Sequence, residues 1–241
     1  MSGEPVHVDL MTHDIPAARA FYGAVLGWSF QEWGPASLAM VGDRQAAAIG
    51  PSFDGETTGW TLYFGSSDIA ATEAAITAAG GDVVLPHGDV AELGKLLLAT
   101  DPTGARFGIW QAGTKKGFDA WAVDGFLCWT DLRSADPAAA QDFYATLFGW
   151  SYTPVPMAPD DYRTYSLGGD PLGGLGGMMG ASEGTPSHWL PYFAVPSADE
   201  SAAAARAEGT VLAEPFDSPY GRMAALADPH GQPFWVTQLP T

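Results

Sequence analysis

The sequence predicts an α+β fold built from four strand–helix–three-strand (βαβββ) modules, arranged as two tandem halves. Segments of the first half recur in the same order about 120–130 residues further along, which indicates an internal duplication. Within each half, the order strand, helix and three strands also occurs twice. The three matching pairs are Asp14–Tyr22 with Asp136–Tyr144, Trp60–Phe64 with Trp189–Phe193, and Asp101–Phe107 with Asp228–Phe234.

The first module opens with a short strand followed by a helix. The run Val6–Leu10 alternates apolar and polar residues, which predicts a half-buried strand. Asp14 is placed to cap the helix N-terminus, Pro16 suits its first turn, and Gly27 is placed to end it. Three short β-like runs follow, around Trp28–Trp33, Leu38–Val41 and Ala46–Ile49.

The same order then restarts and is repeated in the second half. A strand at Trp60–Phe64 leads to a helix that Asp68 caps and that Gly80 and Gly81 end. Strands are expected near Val83–Leu85, Lys95–Ala99 and Arg106–Trp110, and further helices near Pro137–Phe148 and Ala198–Ala207.

The duplication predicts two pseudo-equivalent domains, residues 1–113 and 122–241, joined by a linker over residues 114–121. In each module the helix covers one face of the sheet, so two modules side by side leave one concave face open. Concave and partly apolar surfaces are where small-molecule sites are expected. Whether the halves form separate clefts, or share one by exchanging modules, is left open by the repeat.

Composition limits the partners and the compartment. Ten Lys and Arg against 28 Asp and Glu give a formal net charge of −18, which disfavours nucleic acid and anionic lipid surfaces. A single cysteine, Cys128, excludes an intrachain disulfide, and no signal peptide or apolar membrane span is visible. We therefore expect a cytoplasmic protein, monomeric or homodimeric, whose partner is a small molecule.

The repeated motifs resemble those of the vicinal-oxygen-chelate superfamily, which contains glyoxalase I, extradiol dioxygenases and bleomycin-resistance proteins. The resemblance covers nearly the whole chain and is nearest to tandem glyoxalase-like proteins of actinobacteria. It rests on the Asp–x6–Phe-Tyr helix ending in Leu/Phe-Gly-Trp and on the Asp-Pro-x-Gly-x-x-Phe turn, each present twice. It implies paired βαβββ modules with concave sheets, but the chemistry of the superfamily is diverse.

The resemblance also implies positions for a divalent metal, which enzymes of the family hold with His, Glu or Gln. At three such positions the first half has His7, Thr61 and Gly108, and the second half has Trp129, Leu190 and Trp235. Neither half supplies the three or four ligands that a metal needs. The sequence therefore predicts no metal and no other cofactor, and an apolar, aromatic lining in the second half.

Strand alternation assigns further residues to the concave face. His7 and Asp9 share that face of their strand, and a histidine near a carboxylate could act as a general base. His7 could equally contact a ligand or be structural, and Asp9 and Asp131 could instead hold backbone by hydrogen bonds. The expected ligand-binding residues are Thr61, Tyr63, Gly108, Trp110, Trp129, Asp131, Leu190, Tyr192 and Trp235.

Two other signals have simpler readings. The glycine-rich run Leu167–Gly180 lacks the Gly-Lys-Ser/Thr ending of a phosphate loop and predicts a flexible strand or lid, in which Met178 and Met179 face a ligand or pack in the core. Cys128 should be buried against a helix and inert.

The function predicted is metal-independent binding of a small hydrophobic or aromatic metabolite. The protein would be a binding or sequestration protein or a tailoring enzyme of secondary metabolism. Whether it turns over its ligand is left open; as an enzyme it would be a metal-free lyase, isomerase or cyclase with His7 as base. The alternative is a metal-dependent glyoxalase-like lyase or dioxygenase.

Overall fold

The computed structural model describes residues 2–52, 58–181 and 184–240, and contains the four expected βαβββ modules. The first half contains β1 (Pro5–Thr12), α1 (Ile15–Leu26), β2 (Ser29–Trp33), β3 (Ala36–Val41), β4 (Arg44–Pro51), β5 (Gly59–Gly65), α2 (Ile69–Ala78), β6 (Asp82–Val90), β7 (Gly94–Thr100) and β8 (Arg106–Ala112). The second contains β9 (Leu127–Arg133), α3 (Pro137–Phe148), β10 (Ser151–Pro154), β11 (Arg163–Ser166), β12 (Gly173–Gly176), β13 (His188–Ala194), α4 (Ala198–Ala205), β14 (Thr210–Ser218), β15 (Gly221–Ala227) and β16 (Pro233–Gln238).

The helix ends follow the capping signals in the sequence. The Asp14 side chain accepts a hydrogen bond from the Ala17 amide at 2.9 Å, and Asp68 caps α2 in the same way. α1 ends at Gly27 with φ +71°, a left-handed conformation that glycine adopts at little cost. α4 is shorter than expected and ends at Ala205.

Each half forms one eight-stranded mixed sheet with the same strand order, which confirms the fold class. The order is β2-β3-β4-β1-β5-β8-β7-β6 in the first half and β10-β11-β12-β9-β13-β16-β15-β14 in the second. Within each module the last three strands are antiparallel, and the fourth strand pairs parallel with the first. No helix in the described part of the chain has the length and apolar character needed to cross a bilayer.

The chain also divides into two compact units, and each unit takes one module from each half. The first unit consists of Met1–His7, Thr61–Gly117 and Thr130–Trp189, and the second of Val8–Trp60, Phe118–Trp129 and Leu190–Thr241. In the first unit α2 packs against α3, and in the second α1 packs against α4. The compact units therefore do not coincide with the repeated halves, whose boundaries stay a prediction from the repeat.

The repeated aromatic residues form the core of each unit. In the first unit, the ring of Phe64 from β5 contacts Trp150 and Trp189 at centroid distances of 5.1 and 5.2 Å. In the second unit, Phe193 contacts Trp28 and Trp60 at 5.3 and 5.2 Å. Large side chains that leave water in this way supply most of the stabilising free energy of folding.

Hydrogen bonds between modules explain the repeated Tyr and Asp of the sequence motifs. In the second unit the Tyr22 hydroxyl of α1 donates to Asp228 Oδ2 at 3.2 Å. Asp228 Oδ1 accepts from the amides of His230 and Gln232 and so shapes the turn before β16. In the first unit burial, followed by the charge of Asp101, raises the pKa of Tyr144. The motif residues thus fix one module against another.

Candidate functional site

Five of the predicted site residues of the first half lie in the first compact unit. We call them the His7 cluster: His7, Thr61, Tyr63, Gly108 and Trp110. The His7 ring lies 5.6 Å from the Tyr63 ring and 6.4 Å from the Trp110 ring, between centroids. The Trp110 indole is fixed because its Nε1 donates to the Lys115 carbonyl at 3.0 Å. His7 is half-buried, whereas Val8 and Leu10 are fully buried, as the alternation of β1 predicts.

Gly108 does not leave an open space for a ligand, because the ring of Tyr63 lies over it. Tyr63 and Gly108 are direct partners in the parallel pair of β5 and β8. A Cβ added at Gly108 would lie 2.2 Å from Cδ1 of Tyr63, whose side chain is fully buried. The space beside Gly108 on this face is therefore occupied from within the chain, by the Tyr63 ring.

Thr61 contributes a buried hydroxyl to the same strand face. Among the described residues, no hydrogen-bond partner is present for its Oγ1, and the residue is buried. A buried hydroxyl without a partner is costly, so such an atom is a candidate for a contact to water or to a ligand. Asp9, the other predicted catalytic residue, is half-buried in β1 within the second unit.

In the second unit, three aromatic residues form what we call the Trp235 platform: Tyr192, Phe216 and Trp235. The rings of Tyr192 and Trp235 stack with centroids 5.4 Å apart and 5° between their planes, since the two residues are partners in adjacent strands. Phe216 of β14 meets the indole edge-on at 6.1 Å. Trp235 is half-buried and Phe216 is exposed, so the platform keeps surface for a further ring.

The remaining predicted positions of the second half lie in β9 and β13. Trp129 in β9 is half-buried, and Leu190 in β13 is buried; both belong to the second unit. Asp131 lies in the first unit, where Oδ1 accepts from the Tyr162 hydroxyl at 2.8 Å and Oδ2 from Arg133 at 2.7 Å. Both of these partners are side chains, from Tyr162 before β11 and from Arg133 in β9 itself.

One histidine and the cysteine lie outside these two clusters. His87 is part of β6, and its imidazole pairs with Glu73 of α2. Cys128 is held by the sheet: its Sγ lies 3.3 Å from the carbonyl of Tyr192, and burial raises its pKa to about 12. A thiol with that pKa is almost entirely protonated at neutral pH and is a poor nucleophile.

The residues at the family's metal positions do not fit a divalent metal ion. His7 is a good ligand, but Gly108 has no side chain and the Tyr63 ring takes its place. Trp129, Leu190 and Trp235 provide no oxygen, sulfur or imidazole donor. In the described ranges, no three His, Cys, Asp or Glu side chains come together as a metal site would require.

Sequence reasoning missed Phe216, Arg133 and Tyr162. Phe216 could have been found from alternation in Thr210–Ser218, where Leu212, Glu214 and Phe216 are all exposed. Arg133 lies two residues after Asp131 in β9. Because side chains alternate along a strand, the same pattern would have placed the two on one face. Tyr162 precedes β11, and no local signal predicts its contact with Asp131.

Comparisons with known proteins agree with this fold. A family model for the bleomycin resistance protein-like N-terminal region matches residues 5–42, and one for a glyoxalase-like domain matches residues 129–237. CFP32 of Mycobacterium tuberculosis, which carries a provisional glyoxylase name, is 36% identical over 97% of this chain and 94% of its own length. The anthracycline biosynthesis protein DnrV of Streptomyces peucetius is 30% identical over 98% of this chain and 94% of its own length.

Solved structures give the same fold at low sequence identity. The Mn(II)-bound glyoxalase from Novosphingobium aromaticivorans has a TM-score of 0.70 at 15% identity, covering 98% of this chain and 82% of that chain. The 2,3-dioxygenase LapB from Pseudomonas sp. KL28 has a TM-score of 0.69 at 17% identity, covering 100% and 95%. The chain therefore belongs to the vicinal-oxygen-chelate superfamily, as a tandem glyoxalase-like protein.

Proposed function

We propose that this protein binds a flat, hydrophobic or aromatic small molecule at the Trp235 platform without the help of a metal. The observation that carries the proposal is the half-buried indole of Trp235, stacked on Tyr192 and flanked by the exposed Phe216. Stacking of one further ring adds about 0.5–1.5 kcal/mol beyond the burial of its area. The single cysteine suits a reducing cytoplasm, where we place the protein.

The relative DnrV supports an aromatic ligand through its name, which refers to anthracycline biosynthesis. Anthracyclines contain a fused ring system with aromatic rings, the shape that a stacked indole and phenol accommodate. A role in sequestration follows directly from this binding mode. A role as a tailoring enzyme would instead place the substrate at the His7 cluster, where His7, beside Tyr63 and Trp110, would be the general base.

The proposal is tested by quenching of tryptophan fluorescence with 1,4-dihydroxyanthraquinone as probe. We expect Trp235→Leu to weaken binding about tenfold, the equivalent of ~1.4 kcal/mol. Trp33→Leu is the matched control, because Trp33 is 41% exposed on β2 and lies outside the platform. Equal affinities of the two variants, or no saturable quenching of the parent protein, would refute the platform.

The variant His7→Ala distinguishes an enzyme from a protein that only binds its ligand. Loss of turnover with unchanged affinity identifies a catalytic base, whereas a pure binder shows affinity with no turnover in either protein. Native mass spectrometry of protein purified from its own host would reveal a bound metabolite or metal directly.

A metal-dependent lyase or dioxygenase is the second candidate, favoured by the fold shared with an Mn(II)-bound glyoxalase. It predicts stoichiometric metal in the purified protein and activity that is lost on chelation. The His7 cluster favours metal-independent binding instead. Gly108 supplies no metal ligand, and the Tyr63 ring occupies the space where a ligand side chain would be.

A further inference from the structure

A buried hydroxyl lies beside the Trp235 platform and is not explained by packing. Thr237 follows Trp235 by two residues in β16, so the alternation of the strand places both side chains on the same face of the sheet. Thr237 is only 4% exposed, and among the residues that the structure describes its Oγ1 makes no hydrogen bond. Taking a hydroxyl out of water without a partner costs free energy, so such a group calls for a functional explanation.

The thiol of Cys128 lies close to this hydroxyl but is a poor partner for it. Burial raises the pKa of Cys128 to about 12, and the Thr237 hydroxyl opposes that rise, which places the two groups near each other. The thiol donates its own proton to the carbonyl oxygen of Tyr192 at 3.3 Å. Its sulfur then offers the hydroxyl proton a weak acceptor. A better partner for the Thr237 hydroxyl would have to come from a bound molecule.

Small and adaptable side chains flank Thr237 in the neighbouring strands. Its register partner in β13 is Ala194, and its partner in β15 is the half-buried Met223. Met223 in turn pairs with Phe216 of β14, the exposed ring of the platform. Alanine carries only a methyl group, and the unbranched methionine side chain changes its conformation easily. The side chains around the hydroxyl can therefore make way for one polar group of a ligand.

The distance along β16 suits a ligand that reaches both residues at once. Residues two apart in a strand are separated by about 6.6 Å, and a fused ring system that lies on the indole of Trp235 spans that distance. Trp235 pairs with Tyr192, and Thr237 with the next residue on that face of β13, so the hydroxyl lies one row of side chains beyond the stacked rings. A ring on the platform would therefore present its edge to Thr237.

We propose that Thr237 determines the specificity of the Trp235 platform by selecting aromatic ligands that carry an oxygen substituent, a phenolic hydroxyl or a ring carbonyl, at this edge. The inference rests on the proposed function and names the class of ligand that the platform takes. A threonine hydroxyl donates one hydrogen bond and accepts two, so it pairs with either kind of oxygen. A ring without the oxygen is held by stacking and burial alone and leaves Thr237 unpaired.

The test compares 2-naphthol with naphthalene, two ligands that differ in one hydroxyl, by equilibrium dialysis. Thr237→Val replaces the hydroxyl by a methyl group of similar shape. It should weaken the binding of 2-naphthol about three- to tenfold, the worth of one net hydrogen bond, and leave the binding of naphthalene unchanged. Thr237→Ser retains a hydroxyl and should keep the preference of the parent protein for 2-naphthol relative to naphthalene.

Urea unfolding of the unliganded protein gives a second readout. Because the Thr237 hydroxyl has no good partner within the chain, Thr237→Val should unfold at the same urea concentration as the parent protein, or at a higher one. Thr130→Val is the matched control: Thr130 is also buried, but its hydroxyl is hydrogen-bonded to that of Tyr165 at 2.6 Å. This control should unfold at lower urea and bind both ligands as the parent protein does.

The proposal is overturned if Thr237→Val weakens the binding of both ligands equally or of neither. Earlier unfolding of Thr237→Val would show that the hydroxyl is already bonded within the protein and would equally overturn it. Trp235→Leu separates this proposal from the proposed function, because it should weaken the binding of both ligands alike. If Trp235→Leu weakens neither, the platform fails and the role of Thr237 with it. If it weakens both while Thr237→Val does not discriminate between them, only the role of Thr237 fails.

Discussion

Replacing Gly108 by alanine tests the claim that the Tyr63 ring fills the space beside β8. The added Cβ would lie 2.2 and 2.3 Å from Cδ1 and Cε1 of Tyr63, whereas carbon atoms in contact are normally about 3.5–4.0 Å apart. The ring must therefore move by more than about 1 Å, and it is fully buried. Overpacking of this kind costs about 1–3 kcal/mol, so we expect Gly108→Ala to destabilise the protein by that amount.

The second step of the test removes the obstacle. In a Tyr63→Val background the ring is absent, so adding the Cβ at position 108 should cost nothing or even stabilise the strand, because alanine loses less backbone entropy on folding than glycine. The coupling between the two substitutions should then reach about 1–3 kcal/mol. Urea unfolding, followed by tryptophan fluorescence, measures all four proteins of the cycle.

Gly88→Ala in β6 is the control, because a Cβ at Gly88 would contact nothing within 4 Å. It should leave the unfolding free energy unchanged within about 0.5 kcal/mol. A neutral Gly108→Ala, or the same loss of stability in both backgrounds, would show that the ring does not occupy this space. The reason for the missing metal ligand at Gly108 would then have to be sought elsewhere.

Three further predictions concern single groups. Because the pKa of Cys128 is about 12, iodoacetamide at pH 8 should label it slowly in the native protein and rapidly in urea; rapid native labelling would contradict its burial. Burial lowers the pKa of His188, so below about pH 6.5 the unfolded chain takes up its proton first, and stability should fall as pH drops through the usual histidine range. His188→Asn should flatten that part of the pH profile of urea unfolding, and an unchanged slope would refute the assignment. Trp28→Phe removes the 2.7 Å hydrogen bond from Nε1 to the Gly125 carbonyl and should cost at least ~1 kcal/mol, whereas Trp121→Phe, at an exposed position, should cost little.

Local signals made the secondary structure predictable. Capping depends on residues three or four positions apart, so Asp14, Asp68 and Gly27 determine helix ends that the sequence alone reveals. Because the sequence is duplicated, each signal occurs again at the equivalent position of the other half. α4 ends at Ala205, before the expected position, where the last turn tightens: the Ala207 amide donates to the carbonyl of Ala204, three residues back rather than four.

Strand alternation predicted some neighbours within the candidate site but not all of its contacts. It grouped His7 with Tyr63 and Tyr192 with Trp235, and the rings of each pair lie close together. It could not show that Tyr63 would cover Gly108, because that contact depends on the register between β5 and β8, which no local pattern encodes. Whether these residues bind a ligand stays a prediction.

The glycine-rich run illustrates the same limit. The run predicts a flexible strand or lid, and of these two the structure has a strand, buried in the sheet at Gly173–Gly176. Gly174 and Gly176 are needed because Tyr162, which lies outside the run, occupies the space where their side chains would be. Met179, for which core packing was one expectation, is exposed and contacts Arg133.

Each compact unit pairs modules from different halves of the chain, and this has a consequence for a protein that is split between its halves. A break in the linker would leave Tyr22 on one fragment and Asp228 on the other, so neither piece would carry a whole core. Mixed together, the two fragments should complement each other, and a single fragment could complete its cores only by associating with a second copy of itself. A duplicated and fused dimer, in which each subunit once lent a module to its twin, would have this arrangement.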